Sequence, residues 1–502
     1  MFSTRKSGIL LHPTSLPGQQ PIGTLGKEAY DFIDWLVEAN QSVWQILPLG
    51  PIGHGNCPYS CYSAFAGNPL LINFAKLVEA GDLLDHEVPK PAAASNQVNF
   101  TSAVNQTSLL RIAAERFNKT ATPLRRQQFE QFCREQAFWL NDYCFFEAMR
   151  QLQQNRSWQQ WPEEIRQRQE HALHKWGIQL QDEIAWHKYL QFIFFEQWFE
   201  LKNYANSKGI EIFGDLPIFV AENSADVWTN RHLFHLDEKD QPTMVAGVPP
   251  DYFSKTGQRW GNPLYNWQRM AEDNYSWWLA RFRWNLQLFD LIRVDHFRGF
   301  AACWAIPAEE ETAVNGNWQK VPGEQLFSLL REEFNPLPIV AEDLGVITPD
   351  VEKLRDNYEL PGMKILQFAF DSGPKNPYLP HNHLPNSVIY TGTHDNDTSA
   401  GWWSSLDSQS KQQVRNYLKR PCDDMPWALI EAALVSVAKL AIIPLQDILE
   451  LDSSARMNRP GIAHDNWLWR NLPQQPDARI TKRLQEVSLL YGRALCNPTE
   501  TQ

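Results

Sequence analysis

Eight short apolar runs, separated by stretches with helical periodicity, constrain this chain more than any other feature. They are SGILLHP (7–13), SVWQILPLG (42–50), IEIFGDLP (210–217), LIRVDHF (291–297), PIVAEDLG (338–345), MKILQFAF (363–370), SVIYTGTHD (387–395) and LAIIPLQD (440–447). Several are continuously apolar, the pattern of parallel strands covered on both faces, and stretches such as EAYDFIDWLVEAN (28–40) and PDVEKLRDNY (349–358) lie between them. Strand and helix alternating in this way build either a closed (β/α)8 barrel or an open doubly wound sheet. Eight strands spread over most of the chain favour the α/β TIM barrel, a single catalytic unit spanning 1–502.

The remaining length falls into insertions. The segment 70–205, between the second and third strands, reads as a mostly helical subdomain, with the polar stretch PAAASNQVNFTSAVNQTS (91–108) as a surface loop. A second insertion, 221–285, contains VAGVPPDYFSKTGQRWGNPLYNW, a Gly/Pro/aromatic segment with neither strand nor helix period. Such a loop above a barrel mouth is a candidate lid.

Four of the runs end on an acid: Asp215, Asp295, Glu342 and Asp395, on strands three, four, five and seven. In a TIM barrel the chemistry collects at the C-terminal ends of the strands, so the four acids share one rim. A single Asp after an apolar run more often caps a helix or pairs with a buried cation, but four on one rim point to carboxylate chemistry. Two carboxylates across a small gap suit glycosidic-bond cleavage, one attacking or stabilising the anomeric carbon, the other donating a proton to the leaving oxygen. Arg293, two residues before Asp295, projects to the same side and would pair with it.

Composition narrows the partner. With a net charge of -12 and scattered Lys and Arg, neither nucleic acid nor an anionic membrane is expected, and no apolar stretch reaches eighteen residues. The 21 Trp, 27 Phe and 14 Tyr offer flat faces of the kind sugar rings stack on, although most should pack helices, as in EIAWHKYLQFIFFEQWFEL (183–201). Seven dispersed cysteines fit free thiols in a reducing compartment, so a cytoplasmic location is expected. HNH (381–383) and HLFH (232–235) lack a metal-ligand spacing, GPIGHG lacks a phosphate-loop ending, and no EF-hand loop is present, so no metal and no cofactor is expected.

At these residues the chain resembles a known family. DLIRVDHFRG, IVAEDLG and YTGTHDND are similar to strand motifs of the α-amylase superfamily, and in particular to 4-α-glucanotransferases of the amylomaltase or disproportionating type. The resemblance extends through GILLHPTSLP, PLGPIGHGNCPYSCYSAFAGNP, GDLPIFVAENSADVW, PPDYFSKTGQRWGNPLY, PGMKILQFAFD and SARMNRPGIAHDNWLWR, nearly the whole chain in order. It implies that Asp295 is the nucleophile, Glu342 the acid and then base, and Asp395 the group that grips ring hydroxyls in the transition state. It further implies that Arg293 and His394 hold the sugar, that Tyr59 stacks on it, and that Asp215, Asp371, Trp260 and Asn466 line neighbouring subsites. Two positions depart from the family pattern: His54 and Cys57 stand where several relatives carry Tyr and Ser, so the aromatic of a secondary glucan groove is missing.

The expected activity is therefore cleavage of an α-1,4 linkage in a malto-oligosaccharide or starch-like glucan, with transfer to the 4-hydroxyl of an acceptor sugar. The expected assembly is a monomer or weak homo-oligomer. The alternatives are a retaining α-glucan hydrolase with the same acids, or a catalytically inactive glucan-binding protein. A retaining intermediate can be resolved by water or by a sugar, so the lid with Trp260 is the expected arbiter between transfer and hydrolysis.

Overall fold

The structure is a computed structural model and describes residues 2, 4–90, 94–250 and 254–495. Among these residues the strands in chain order are β1 (Lys6–Leu10), β2 (Val43–Gln45), β3 (Glu211–Pro217), β4 (Met244–Val248), β5 (Gln258–Pro263), β6 (Leu291–Asp295), β7 (Ala302–Pro307), β8 (Asn317–Lys320), β9 (Ile339–Ala341), β10 (Gly362–Ile365), β11 (Ser387–Tyr390) and β12 (Leu440–Pro444). Eight of them close into a parallel barrel in the order β1, β12, β11, β10, β9, β6, β3, β2. These eight are the apolar runs of the sequence, and β2, β9, β11 and β12 are buried at every position because helices cover them outside and side chains fill them inside.

Parallel register decides what meets at the mouth. β3 and β6 pair Asp215 with Arg293 and Pro217 with Asp295. β6 and β9 pair Val294 with Ala341, which sets Glu342 level with Asp295, and the Glu342 amide donates to Val294 O at 3.1 Å. Below this level the Tyr390 hydroxyl donates to Gln45 Oε1 at 3.0 Å across the interior, closing the barrel with a polar contact.

Between β2 and β3 the chain is largely helical, ending in the long helix Gln181–Ser207. That helix buries Phe192, Phe194, Phe195 and Trp198, and two of its glutamines reach back into the loop that follows β2. Gln191 accepts from Gly67 N at 2.7 Å and Gln197 from Asn73 N at 2.8 Å, so the helical segment fixes the loop carrying Tyr59. The aromatic excess is mostly structural: Trp44, Trp158, Trp198, Trp228, Trp278 and Trp427 are fully buried.

Two expectations are corrected. The polar stretch 91–108 is not a loop throughout, since helices Phe100–Asn105 and Thr107–Thr120 occupy its second half; Asn99 caps the first by accepting from Ser102 N at 2.8 Å, and residues 91–93 lie outside the described part. The Gly/Pro/aromatic segment after β3 is not aperiodic either. It supplies β4 and β5 to a four-stranded antiparallel sheet in the order β5, β4, β7, β8, while residues 251–253 lie outside the described part. A register shift between Val245 and Gly247, with Gly261 at φ +82°, breaks the period of two that would have revealed the pair.

Candidate active site

The centre of the site is Arg293, only 4 % exposed and aimed into the barrel by the alternation of β6. Its Nη1 donates to both oxygens of Asp215, at 2.9 and 2.7 Å, and its Nη2 donates to Asp295 Oδ1 at 2.7 Å. One guanidinium thus ties two of the four acids together in a planar fork, one at the mouth and one, contrary to the expectation of a shared rim, below it inside β3. Asp295 is the last residue of β6, and its Oδ2 accepts no hydrogen bond among the described residues. His296 follows in the left-handed region at φ 50° and turns the chain sharply away, which leaves the Asp295 carboxyl at the mouth.

Asp215 lies below the rim, inside β3, and its side chain is fully buried. Besides Arg293 it accepts a hydrogen bond from the Tyr59 hydroxyl at 2.8 Å. Burial pushes the Asp215 pKa up, and the opposing charge of Arg293 pulls it back. Both oxygens are engaged, so Asp215 orients Arg293 and Tyr59 and presents no free edge to the mouth.

Glu342 directly follows β9. Its Oε2 accepts from the His296 amide at 2.7 Å and its Oε1 from the Leu344 amide at 2.9 Å. Burial pushes Glu342 up to about 7; Arg293 and the two amides favour the ionised form, whereas Asp295 adds to the rise. The next residue, Asp343, turns the other way, accepting from Met363 N at 2.7 Å and pairing with Arg355 at 2.5 Å. Gly362 makes room for it: a Cβ there would stand 2.4 Å from Asp343 Oδ2.

Asp395 lies beyond β11, with its side chain 43 % exposed. Asn458 Nδ2 donates to its Oδ1 at 2.6 Å and Arg456 to its backbone oxygen at 2.6 Å. His394 is 7 % exposed, its pKa is lowered by burial, and its Nε2 lies 3.4 Å from Asp395 Oδ2. The Tyr59 ring stacks on His394 at 5.2 Å and 16°, and Trp467 closes on both rings at 6.0 and 5.9 Å. Trp260 on β5 meets His296, the residue after Asp295, edge-on at 4.8 Å and 85°, and remains 39 % exposed.

The remaining two predicted residues bond within their own loops. Asp371 is exposed on the loop after β10, where Asn376 donates to it at 3.1 Å. Asn466 is 8 % exposed and staples its own loop, accepting from Arg459 N at 2.9 Å and donating to Ile462 O at 2.7 Å. Sequence reasoning missed Trp467, Asn458 and Arg456 as members of the site, although SARMNRPGIAHDNWLWR contains all three. Burial lifts the Cys57 thiol to about 11, so it is not a thiolate at neutral pH. Of the histidine motifs, His381 bonds Tyr417 and Pro374 O, and His383 bonds Ser436 and Tyr378 O.

Known proteins carry the same arrangement of chain. The sequence profile described as 4-alpha-glucanotransferase matches residues 11–474. The 4-alpha-glucanotransferase of Synechocystis sp. is 49 % identical over 99 % of this chain and 99 % of its own length. That of Thermus thermophilus is 48 % identical over 96 % and 98 %. Among solved structures, amylomaltase from Streptococcus agalactiae in complex with acarbose superposes with a TM-score of 0.94 at 38 % identity, covering 98 % of this chain and all of that one. A carboxylate cluster on a closed eight-stranded barrel, with a profile match over nearly the whole chain, makes this protein a member of the 4-alpha-glucanotransferase family.

Proposed function

We propose that the enzyme cleaves and re-forms α-1,4-glucosidic bonds by two displacements at Asp295, with Glu342 moving the proton in each. In the first, Asp295 Oδ2 forms a bond to the anomeric carbon while Glu342 gives its proton to the departing glycosidic oxygen. In the second, Glu342 takes the proton from the 4-hydroxyl of an acceptor sugar, whose oxygen displaces Asp295 from the anomeric carbon. Configuration is retained because the carbon is inverted twice. The observation that carries this reading is geometric: an Asp295 oxygen that accepts no hydrogen bond among the described residues stands level with Glu342 at the end of the neighbouring strand, and burial favours the protonated form of that glutamate.

The other residues serve these two steps. Asp395, oriented by Asn458 on Oδ1 and with His394 Nε2 beside Oδ2, keeps a half-exposed carboxyl suited to ring hydroxyls, and the stacked Tyr59 and His394 form a wall for the donor sugar. Asp215 acts through Arg293 and Tyr59, and Asn466 acts by holding the 459–466 loop from which Trp467 projects. Asp371, exposed beyond β10, is the residue we assign to a more distant sugar unit. Trp260, edge-on to His296 beside Asp295, shields the acceptor side from water and favours transfer.

The substrates are malto-oligosaccharide or starch-like donors and sugar acceptors. Among the described residues no helix is long and apolar enough to cross a membrane. Incubation with maltotriose tests the function: glucose together with oligomers longer than the substrate is expected, whereas steady conversion of all oligomers to glucose and maltose contradicts it.

A further inference from the structure

Arg298 lies three residues after Asp295, in the turn Phe297–Phe300, and is 7 % exposed. Its guanidinium sits over the Trp318 ring of β8 at 3.7 Å, and its Nη1 donates to Val346 O. Val346 belongs to the loop that follows Glu342. Among the described residues this is the one hydrogen bond that reaches residues 345–347, while Gly345, at φ +83°, allows the backbone to turn there. Just ahead of that turn, the Leu344 amide donates to Glu342 Oε1. Arg298 Nε is buried and has no partner, so the side chain gives up one hydrogen bond in the pose that reaches the loop.

We propose that Arg298 is a positioning residue for the acid/base carboxyl: stacked on Trp318, it holds the 344–347 loop so that the Leu344 amide stays on Glu342. The inference rests on the reading of Glu342 as proton donor. It also gives the small antiparallel sheet a part in catalysis, since the residue under Arg298 comes from that sheet. The groups facing Glu342 are Arg293 and Asp295 from β6, Tyr378, and Tyr390 from β11. Those facing Arg298 are His296 and Asp350. None of them bonds residues 345–347, so among the described residues the Arg298 contact is the one through which the loop backbone is held.

The sign of the effect follows from the donor. An N–H on the carboxylate favours its ionised form; loosening the loop weakens that bond, and Glu342 then keeps its proton to higher pH. A hydrogen bond to a charged group is worth enough to move the alkaline limb of kcat/KM upward by about one pH unit. The test uses Arg298→Lys, which keeps the charge but loses the planar stack, and Trp318→Leu, which keeps the arginine but removes its platform. Both should lower kcat on maltotriose by about tenfold, leave KM within about twofold, and raise the alkaline limb. An unmoved limb in both variants overturns the proposal, as does a rise in KM with kcat intact. Glu342→Gln separates the two readings: if it retains turnover and the same limb, the assignment of Glu342 fails, whatever Arg298 does.

Discussion

Replacing Glu342 with glutamine should weaken catalysis and, above about pH 6, strengthen the fold. In the native protein Glu342 titrates near 7 because burial disfavours its charge, against an ordinary value of 4.5. A carboxyl whose pKa is raised on folding contributes stability that is complete below 4.5 and is lost as the pH climbs through 7. The gap corresponds to a penalty on the order of 3 kcal/mol in alkaline solution, which a neutral side chain of the same shape avoids. Against this, the carboxylate accepts from two amides, His296 and Leu344, and glutamine offers one oxygen, a loss of about 1 kcal/mol at any pH. The variant should therefore be slightly less stable than the wild type at pH 4.5 and more stable by about 2 kcal/mol at pH 8, with the sign changing between about pH 5 and 6. Calorimetric scans of both proteins at one fixed rate should show an advantage of about 2 °C at pH 8, given the unfolding entropy of a chain this long. Turnover in the same preparation should fall by about 10² to 10⁴. A difference in transition temperature that does not change with pH would refute the argument that burial sets the Glu342 pKa.

Other consequences are simpler to state. Tyr59→Phe keeps the ring over His394 but removes the 2.8 Å hydrogen bond to Asp215, so kcat on maltotriose should fall by about tenfold with the fold intact. Trp260→Ala should raise the share of donor lost to water, read as the ratio of reducing ends released to oligomers formed, and an unchanged ratio would remove the tryptophan from the account of transfer. Arg493 is 0 % exposed at the base of the barrel and donates to the backbone oxygens of Lys6, Leu434, Ser436, Ala438 and Lys439. Arg493→Met should lower stability by about 3 kcal/mol in urea titrations without altering KM, because five hydrogen bonds to backbone oxygens are lost, even though Leu434 O and Ser436 O keep Arg5 Nη2 and Lys439 O keeps Lys6 N.

The barrel was legible because each of its eight strands is a buried apolar run, and burial on both faces leaves a mark that needs no partner to read. Arg293 and Asp295 were legible as a pair because the period of two joins them within one strand. Their link to Asp215 was not, since it depends on the register between β3 and β6, set by strands 78 residues apart in sequence. The small sheet escaped for a different reason. Glycines and prolines at Gly247, Pro249, Gly257, Gly261 and Pro263, in and between β4 and β5, erase the alternation that marks a strand. Trp467 and Asn458 sit in an irregular loop that has no period at all, and only the folded chain brings them to Tyr59 and Asp395. The ranking of the acids came from resemblance; the hydrogen bonds now separate a buried Asp215 from an Asp295 with an open oxygen.

The central claim is that Asp295 carries the sugar between donor and acceptor. α-Maltosyl fluoride needs no proton to release its leaving group, so Glu342→Gln should react with it at Asp295 and then stall, because the second step lacks its base. Mass spectrometry of the digested protein is predicted to find one maltosyl unit on the peptide bearing Asp295, and addition of azide, which needs no base, should discharge it. A maltosyl unit on another carboxylate, or turnover of the fluoride by Asp295→Asn at the wild-type rate, would contradict the account.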